Sequence, residues 1–572
     1  MIIIIYYFCN NVYIQYYVLH VYVYTHYLIR SGTASKCATY IYIFVSCGET
    51  PQGKEFIMKE KITVIPTGIT SIDREMVENL ENWENLEVIS IPDSVEIIGD
   101  GAFQDCKHLT DVIIPDGCHT IGKDAFKGCT ALRAVSIPDS VTYIGDYAFY
   151  NCGKLKEIAI PDGVESIGRL TFYGCTALEA VSIPDSVESI GEYAFYHCER
   201  LRSITIPDGV SRIGDCTFRG LFGLEAVSIP DSVTYIGDYA FCGCGRLNEI
   251  TIPDRVTYIG ENAFRHCERL KSITIPDGVS RIGDSAFYGC ITLESITIPD
   301  GVEIIGDYAF RHCKRLESIT IPGNVSYIGE YTFCDCTALK NVVILNNSSF
   351  REIKEGMFYG CTALETITIP DGVENICELA FYGCTALEDV NISDSVESIG
   401  DWTFKGCIAL KAITIPDSVT HIGNNAFQGC IAIKEITIPN GVKTIDDWAF
   451  CYCESLRSIT IPEGMTYIPE YAFYGCTALE AVSIPDSVEF IGKGAFQECT
   501  ALRAVSIPYS VTYIGEHAFR GCTSLETITV PDSVTYVGNG VFYGCTDLRT
   551  AQIPDIVKHN KERVFQGCTA LT

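Results

Sequence analysis

A period of 23 residues runs through most of the chain and constrains its fold more than any other feature. The period is clearest in a column of phenylalanines that recur in two runs. The first run comprises Phe103, Phe126, Phe149, Phe172, Phe195, Phe218, Phe241, Phe264, Phe287, Phe310 and Phe333, and the second extends from Phe358 to Phe565. The two registers are offset by two residues and give 21 repeats, or rungs, in all. Because each rung of a stacked array contacts only its neighbours, such a chain builds one lengthening core.

One representative rung shows how the apolar residues are spaced. Val181 and Ile183 alternate with small residues, which is typical of a short, half-buried strand. Pro184 ends this strand because it lacks an N–H, and the Pro-Asp-Ser sequence that it begins favours a turn. Gly191 then opens a segment that we expect to be a short helical or 3-10 piece, with Phe195 turned inward.

Neither piece of the rung is stable alone, because the strand and the helical turn are both too short to bury an apolar face. Stacking solves this problem, since strands of successive rungs pair about 4.8 Å apart. The sequence therefore predicts an α/β solenoid with a parallel β-sheet on one face and short helical or 3-10 segments on the other.

The order of residue types within the rung is also specific. It reads Leu178-x-x-Val181-x-Ile183-Pro184-x-x-Val187-x-x-Ile190-Gly191-x-x-Ala194-Phe195-x-x-Cys198. This pattern resembles the BspA-like, or Treponema pallidum-type, class of leucine-rich repeat over about residues 84–572. The resemblance implies a leucine-rich-repeat solenoid. It also implies a binding role, since proteins of this class are mostly described as bacterial or protist surface proteins that adhere to host or matrix proteins. It names no site residues.

The pattern divides the chain into five parts. They are a hydrophobic extension (1–57), an irregular N-terminal capping repeat (58–94), a repeat array in the first register (95–341), an irregular rung with a two-residue insertion (342–357) and an array in the second register (358–572). The chain stops after Leu571, just before a strand would form, so we expect either an incomplete reading frame or end-to-end self-association at an uncapped terminus.

The N-terminal extension has no charged residue before Arg30. Its length would suit a membrane span, although polar residues such as Asn10 and Gln15 interrupt it and no basic start marks a signal peptide. A signal-anchor and a non-functional leader both remain open. Membrane contact is expected only through residues 1–30. Two localisations are considered: the cell surface, which the family resemblance implies, and the cytoplasm.

The chain is strongly acidic, with 41 Lys and Arg against 72 Asp and Glu and a formal charge of −31. This charge repels the phosphates of nucleic acid and of anionic lipids, so neither is an expected partner. The same charge also keeps a long repetitive chain soluble.

The chain contains 29 cysteines, and 20 of them form one column from Cys106 to Cys568, in which Leu221 fills the remaining rung. Leucine can replace cysteine only in an apolar position, so we predict free, buried thiols. Neighbouring column cysteines would have parallel Cβ vectors, which suit a disulfide poorly. Such a column fits a reducing compartment at least as well as an oxidising one.

The sequence shows no constellation for catalysis or for a cofactor. The C-x-C pairs, such as Cys242/Cys244, offer two ligands each on distant rungs, whereas zinc needs four. The histidines before column cysteines also lie on separate rungs. No phosphate-binding loop is present, and no nucleophile stands beside a unique histidine and acid. We therefore expect no enzyme activity, no cofactor and no metal.

The outward strand positions are the candidate binding face. They carry the hydroxyl residues Ser272, Thr274, Ser295, Thr297, Ser318, Thr320, Thr366 and Thr368. Their alternative explanation is β-propensity, because threonine suits an exposed strand. Solenoids nevertheless use their extended sheets for recognition, and flanking acidic residues such as Glu157, Glu435 and Asp389 would attract a basic partner. The one rung that breaks the period, with Asn346, Asn347 and Phe350, is the candidate specificity site.

Three functional classes follow from this reading. The first is a non-enzymatic protein-binding module of the adhesion or surface-recognition type, and the second is an intracellular interaction scaffold of the same fold. An enzyme, or an ice or polysaccharide binder using the Thr-x-Thr ladder, forms the third. The ladder idea needs a flat face, whereas leucine-rich-repeat arrays normally curve.

Overall fold

The computed structural model describes residues 20–23, 39–44, 60–80, 83–345, 349–558 and 561–571. It divides into two compact units, Met1–Arg255 and Val256–Thr572, and each unit is a parallel β-solenoid. A regular rung contributes a front strand of two to four residues, a Pro-Asp turn, a back strand of two residues and a segment of tight turns. In the rung that contains Glu249 the front strand is reduced to an isolated bridge to Ala226. The predicted solenoid with parallel strands is therefore confirmed.

The front strands of the first unit form parallel ladders in which the central residue faces the core. They are Val88–Ser90, Asp111–Ile113, Ala134–Ser136, Glu157–Ala159, Ala180–Ser182, Ser203–Thr205 and Ala226–Ser228. The back strands of this unit are Ser71–Ile72, Ile97–Ile98, Thr120–Ile121, Tyr143–Ile144, Ser166–Ile167, Ser189–Ile190, Arg212–Ile213 and Tyr235–Ile236.

The second unit repeats this arrangement. Its front strands are Ser272–Thr274, Ser295–Thr297, Ser318–Ile321, Asn341–Ile344, Thr366–Thr368, Asp389–Asn391, Ala412–Ile413, Glu435–Thr437, Ser458–Thr460, Ala481–Ser483, Ala504–Ser506, Thr527–Thr529 and Thr550–Gln552. Its back strands are Tyr258–Ile259, Arg281–Ile282, Ile304–Ile305, Tyr327–Ile328, Glu352–Ile353, Asn375–Ile376, Ser398–Ile399, His421–Ile422, Thr444–Ile445, Tyr467–Ile468, Phe490–Ile491, Tyr513–Ile514 and Tyr536–Val537.

Three further strands precede the regular rungs: His20–Val23, Thr39–Phe44 and Glu60–Val64. The strand Thr39–Phe44 pairs antiparallel with His20–Val23 on one side and with Glu60–Val64 on the other. The strand Glu60–Val64 also pairs with Val88–Ser90, in parallel. Two of these strands come from the segment that the sequence sets apart as an N-terminal extension.

Helix is scarce in the described part of the chain. The helices there are Arg74–Glu78, Asp555–Lys558 and Lys561–Val564, with a 3-10 turn at Trp83–Asn85. None of them is long and apolar enough to cross a membrane.

The segment after each back strand consists of tight turns where the sequence suggests a short helical piece. Two residues per rung have positive φ, for example Asp124 at 56° and Gly128 at 74°, and left-handed residues interrupt a right-handed helix. Alternate amides instead donate to the next rung, as Phe126 N does to Ala148 O at 2.8 Å. The amides between them donate within their own rung, as Lys127 N does to Asp124 O at 3.1 Å. The segment is thus a further ladder of hydrogen bonds between rungs.

The phenylalanine column forms the centre of the core in each unit. In the second unit, Phe427 lies between Phe404 and Phe450 with ring centroids 5.3 Å away on either side and the rings close to parallel. All three side chains are buried, with at most 1% of their surface exposed. Offset stacking of this kind adds to the free energy gained from burying the rings.

The cysteine column is part of the same core. Thiols of the column donate hydrogen bonds to phenylalanine carbonyls of the preceding rung, as Cys430 Sγ does to Phe404 O at 3.1 Å. That carbonyl also accepts from Cys407 N at 3.1 Å, so its two lone pairs are both used. Cysteine therefore fills a small apolar space and satisfies a buried acceptor. All 26 cysteines within the described residues are free.

Replacing the central aromatic ring of a rung should destabilise the second unit strongly. We expect Phe427→Ala to lower the free energy of unfolding by about 3–5 kcal/mol, because it opens a cavity between two stacked rings. The midpoint of guanidinium unfolding, followed by circular dichroism, measures the effect. The exposed Thr368→Ala is the control and should change the free energy by less than about 0.5 kcal/mol. Equal midpoints for the two variants would contradict a core that depends on the phenylalanine column.

Candidate functional site

The eight predicted hydroxyl residues all face outward from front strands of the second unit. In each of their strands the outer residues are exposed and the central isoleucine is buried. The strand Ser272–Thr274 pairs in register with Ser295–Thr297, so serine lies beside serine and threonine beside threonine. We call these residues the hydroxyl face: Ser272, Thr274, Ser295, Thr297, Ser318, Thr320, Thr366 and Thr368.

The hydroxyl face is interrupted where the irregular rung enters the sheet. Thr320 pairs with Val343 in the next strand, and the rung after that begins with Thr366 opposite Asn341. Val343 is 49% exposed and Leu345 47% exposed, so two apolar side chains lie beside the hydroxyl rows. Sequence reasoning missed them because Val-Val-Ile-Leu is a continuous apolar run, which does not reveal the side chains that point outward.

The predicted specificity rung falls only partly within the described residues. Asn346 and Asn347 lie outside them, and Phe350 is buried with 3% of its surface exposed. Phe350 therefore belongs to the core. The insertion does not break the phenylalanine column, since Phe333 and Phe358 stack at 5.6 Å with an interplanar angle of 7°.

Two of the predicted acidic residues flank the hydroxyl face in this unit. Asp389 lies beside Thr366 in the strand register, and Glu435 occupies the equivalent outward position two rungs later. Both are exposed, and neither forms an ion pair within the part of the chain that the structure describes. Their carboxylates therefore remain available for a basic partner.

The back strands carry a second exposed feature that the sequence analysis did not identify. Tyr467, Phe490, Tyr513 and Tyr536 follow one another in register on four successive back strands, and 37–45% of each is exposed. The rings of Tyr513 and Tyr536 stack at 4.6 Å. The pKa of Tyr467 is raised to about 12, mainly by burial and further by the nearby carboxylates of Asp447 and Glu470. The signal that could have found this row is an aromatic residue immediately before the back-strand isoleucine at the 23-residue interval.

The repeated polar residues of the rungs serve the backbone. The aspartate after the back-strand glycine accepts from an amide of the next rung, as Asp401 Oδ1 does from Asn424 N at 2.7 Å. The serine of the Pro-Asp-Ser turn donates to the preceding rung, as Ser418 Oγ does to Val396 O at 2.6 Å. Among the described residues, no group of three or more His, Cys, Asp or Glu side chains is placed to hold a metal ion.

The buried thiols of the column are unreactive at neutral pH. Burial raises the pKa of the Cys430 thiol to about 12, so almost none of it is the reactive thiolate at neutral pH. Cys568 differs, because it is only partly buried and the neighbouring Cys545 thiol lowers its pKa.

The chain matches a family model described as a BspA type leucine rich repeat region, over residues 58–179, 165–294, 257–388, 376–503 and 490–572. Solved structures with a similar chain include a leucine-rich repeat protein from Bacteroides ovatus ATCC 8483. It is 28% identical, with 81% of this chain and 91% of that chain covered and a TM-score of 0.42. A leucine rich cell surface protein from Faecalibacterium prausnitzii A2-165 is also 28% identical, with 66% and 95% covered and a TM-score of 0.34. No curated protein sequence matches.

Thiol labelling should distinguish Cys568 from the rest of the column. With iodoacetamide at pH 8, we expect Cys568 to be alkylated first, because a lowered pKa and partial exposure increase its accessible thiolate. Cys430 should stay unlabelled until guanidinium unfolds the chain, which serves as the positive control. Mass spectrometry of tryptic peptides gives the order of labelling. Fast native labelling of Cys430 would contradict its buried position.

Proposed function

This chain belongs to the family defined by BspA-type leucine-rich-repeat regions, and from that premise we propose that it is a non-enzymatic protein-binding module of the adhesion or surface-recognition type. The observation that carries the proposal is the hydroxyl face. Its outward side chains pair in register between Ser272–Thr274 and Ser295–Thr297, and the same kind of exposed pair recurs on the front strands Ser318–Ile321 and Thr366–Thr368.

The composition of the hydroxyl face supports binding through many weak contacts. Each hydroxyl can both donate and accept a hydrogen bond, and serine and threonine lose little side-chain entropy when a partner covers them. The strand backbones beneath are already paired, so the surface needs little ordering on binding. Val343 and Leu345 add apolar area beside the rows, where an interface usually has its strongest contacts. Asp389 and Glu435 favour a partner with basic residues.

The thiol column favours a second candidate, an intracellular interaction scaffold built on the same hydroxyl face. Its many free thiols, such as Cys430 with its bond to the Phe404 carbonyl, suit a compartment that keeps cysteine reduced. Localisation of an epitope-tagged full chain in its own cell separates the candidates. Surface staining of intact cells supports adhesion, whereas a wholly cytosolic chain supports the scaffold.

Arginines placed on the hydroxyl face should block adhesion. Beads carrying the full chain are tested on wells coated with individual extracellular-matrix proteins. We expect Thr297→Arg with Thr320→Arg to reduce bead retention by about tenfold or more, since long charged side chains would separate the two surfaces and cost at least about 1.4 kcal/mol. The matched control is Thr420→Arg with Thr466→Arg, which adds the same charge at exposed threonines beside the back strands. Equal loss in both double variants, or no retention by any protein, would contradict adhesion through this face.

The irregular rung gives a separate test of specificity. We propose that the two-residue insertion helps to select the partner, because it is the one place where the 23-residue period changes. Deleting Asn346 and Asn347 restores the period and should weaken binding to the retained matrix protein, measured by surface plasmon resonance. The melting temperature of the deletion variant controls for folding. If the folded deletion variant binds with unchanged affinity, the insertion does not select the partner.

A further inference from the structure

A cluster of basic side chains lies on the first unit of this otherwise acidic chain. Arg133, Lys154, Lys156 and Arg200 surround a depression of about 390 Å³ whose remaining lining is small: Gly153, Thr176 and Ala177. No carboxylate lines this depression. All four cations lie in the loop before a front strand or at its start, and all are exposed. A surface with this local charge is unexpected in a chain of net charge −31.

A second depression of about 430 Å³ adjoins the first through Arg200. It adds Arg202, Arg246 and the ring of Phe222, and it contains the carboxylates of Glu179 and Glu199. Together the two depressions have six cations and two carboxylates, which leaves four positive charges. We call this continuous surface the basic groove.

The cations of the groove are available to a ligand. Arg200 makes an ion pair with Glu179 at 3.7 Å, but both side chains are more than half exposed, so solvent weakens the pair. Within the described residues, the other five cations of the groove form no ion pair. The charge of distant rungs does not cancel the groove, because electrostatic interactions between exposed groups are screened beyond about 8 Å at physiological ionic strength.

The spacing of the groove points to a linear ligand with regularly placed anions. Lys154, Arg200 and Arg246 hold the same position in alternate rungs, and the rungs between them carry Ala177 and Gly223. Two rungs correspond to about 10 Å, given a strand spacing of about 4.8 Å. This distance is close to the length of two linked sugar rings in an extended polysaccharide. In such a ligand every second sugar ring would carry the anion that contacts a cation. The small residues Ala177 and Gly223 leave room for the sugar ring in between.

Phe222 is a second, independent feature of the same groove. It stands where two earlier rungs carry Thr130 and Thr176 and the adjacent rungs carry Glu199 and Gly245, next to the one column position at which Leu221 replaces cysteine. Its ring is 51% exposed, and an exposed aromatic face beside arginines offers an apolar platform for a sugar ring. Single-stranded nucleic acid would need several such platforms for successive bases, and this groove has one.

We propose that the basic groove binds a sulfated linear polysaccharide. Arg133 and Arg200 would bind sulfate through their planar guanidinium groups, Lys154 and Lys156 would add positive charge, and Phe222 would contact one sugar face. This site lies in the first unit and is independent of the hydroxyl face of the second unit. A sulfated polysaccharide could therefore be bound even if no protein binds the hydroxyl face.

Calorimetric titration of the full chain with a heparin octasaccharide tests the proposal. We expect the triple variant R133Q/K156Q/R200Q to bind at least about tenfold more weakly than the parent, since it loses three of the six cations of the groove. The matched control K434Q/R457Q/R503Q removes three exposed cations from the start of front strands in the second unit and should bind within about twofold of the parent. T297R/T320R should bind heparin like the parent, which separates this test from that of the hydroxyl face.

A second variant tests the role of the aromatic ring. Phe222→Thr introduces the residue that other rungs carry here, such as Thr130 and Thr176, without changing charge, and it should weaken octasaccharide binding severalfold while the melting temperature stays the same. Absence of heparin binding, equal loss in the matched control, or tighter binding of single-stranded DNA of equal charge would each overturn the proposal.

Discussion

The hydrogen bonds between successive rungs are the constraint on which the rest of this structure depends. In the turn segments, alternate amides donate to the next rung and the others close turns within their own rung. The pattern requires a left-handed residue at two fixed positions, such as Asp124 and Gly128. A rung that gained or lost one residue here would shift every donor relative to its acceptor. The strict 23-residue period therefore reflects backbone pairing as well as the packing of the phenylalanines.

The same pairing explains why the repeated polar residues do not form a site. Aspartate, serine and cysteine side chains each bond to the backbone of a neighbouring rung, as Asp401, Ser418 and Cys430 show. Their recurrence satisfies groups that would otherwise be buried without a partner. Residues free to vary are those that point outward from the front and back strands and from the loops between them. Function is consequently expected where these outward residues depart from the repeat.

The sequence predicted the period, the front strands and the buried columns because those features depend on spacing alone. The inward-facing central residues of the front strands, the stop at proline and the exposed Ser-x-Thr pairs follow from alternation and backbone chemistry. The turn segments were harder to predict, because residues such as Asp124 and Tyr147 adopt a left-handed conformation that cannot be inferred from their residue types. The basic groove was also out of reach, since its cations come from two columns on several rungs, as Arg133 and Arg200 do, and lie together only when the rungs are stacked.

The structure also changes the meaning of the net charge. Much of the acidity belongs to the repeat, because aspartates such as Asp146 and Asp401 recur to bond the amides of the next rung. The total of −31 therefore describes the requirements of the scaffold more than the preference of a ligand. Since exposed charges act over about one Debye length, a partner responds to the side chains within roughly 8–10 Å of its own surface. On that scale the front surface near Asp389 is acidic, while the groove around Arg200 is basic. One repetitive chain can thus present two surfaces of opposite charge, each suited to a different class of ligand.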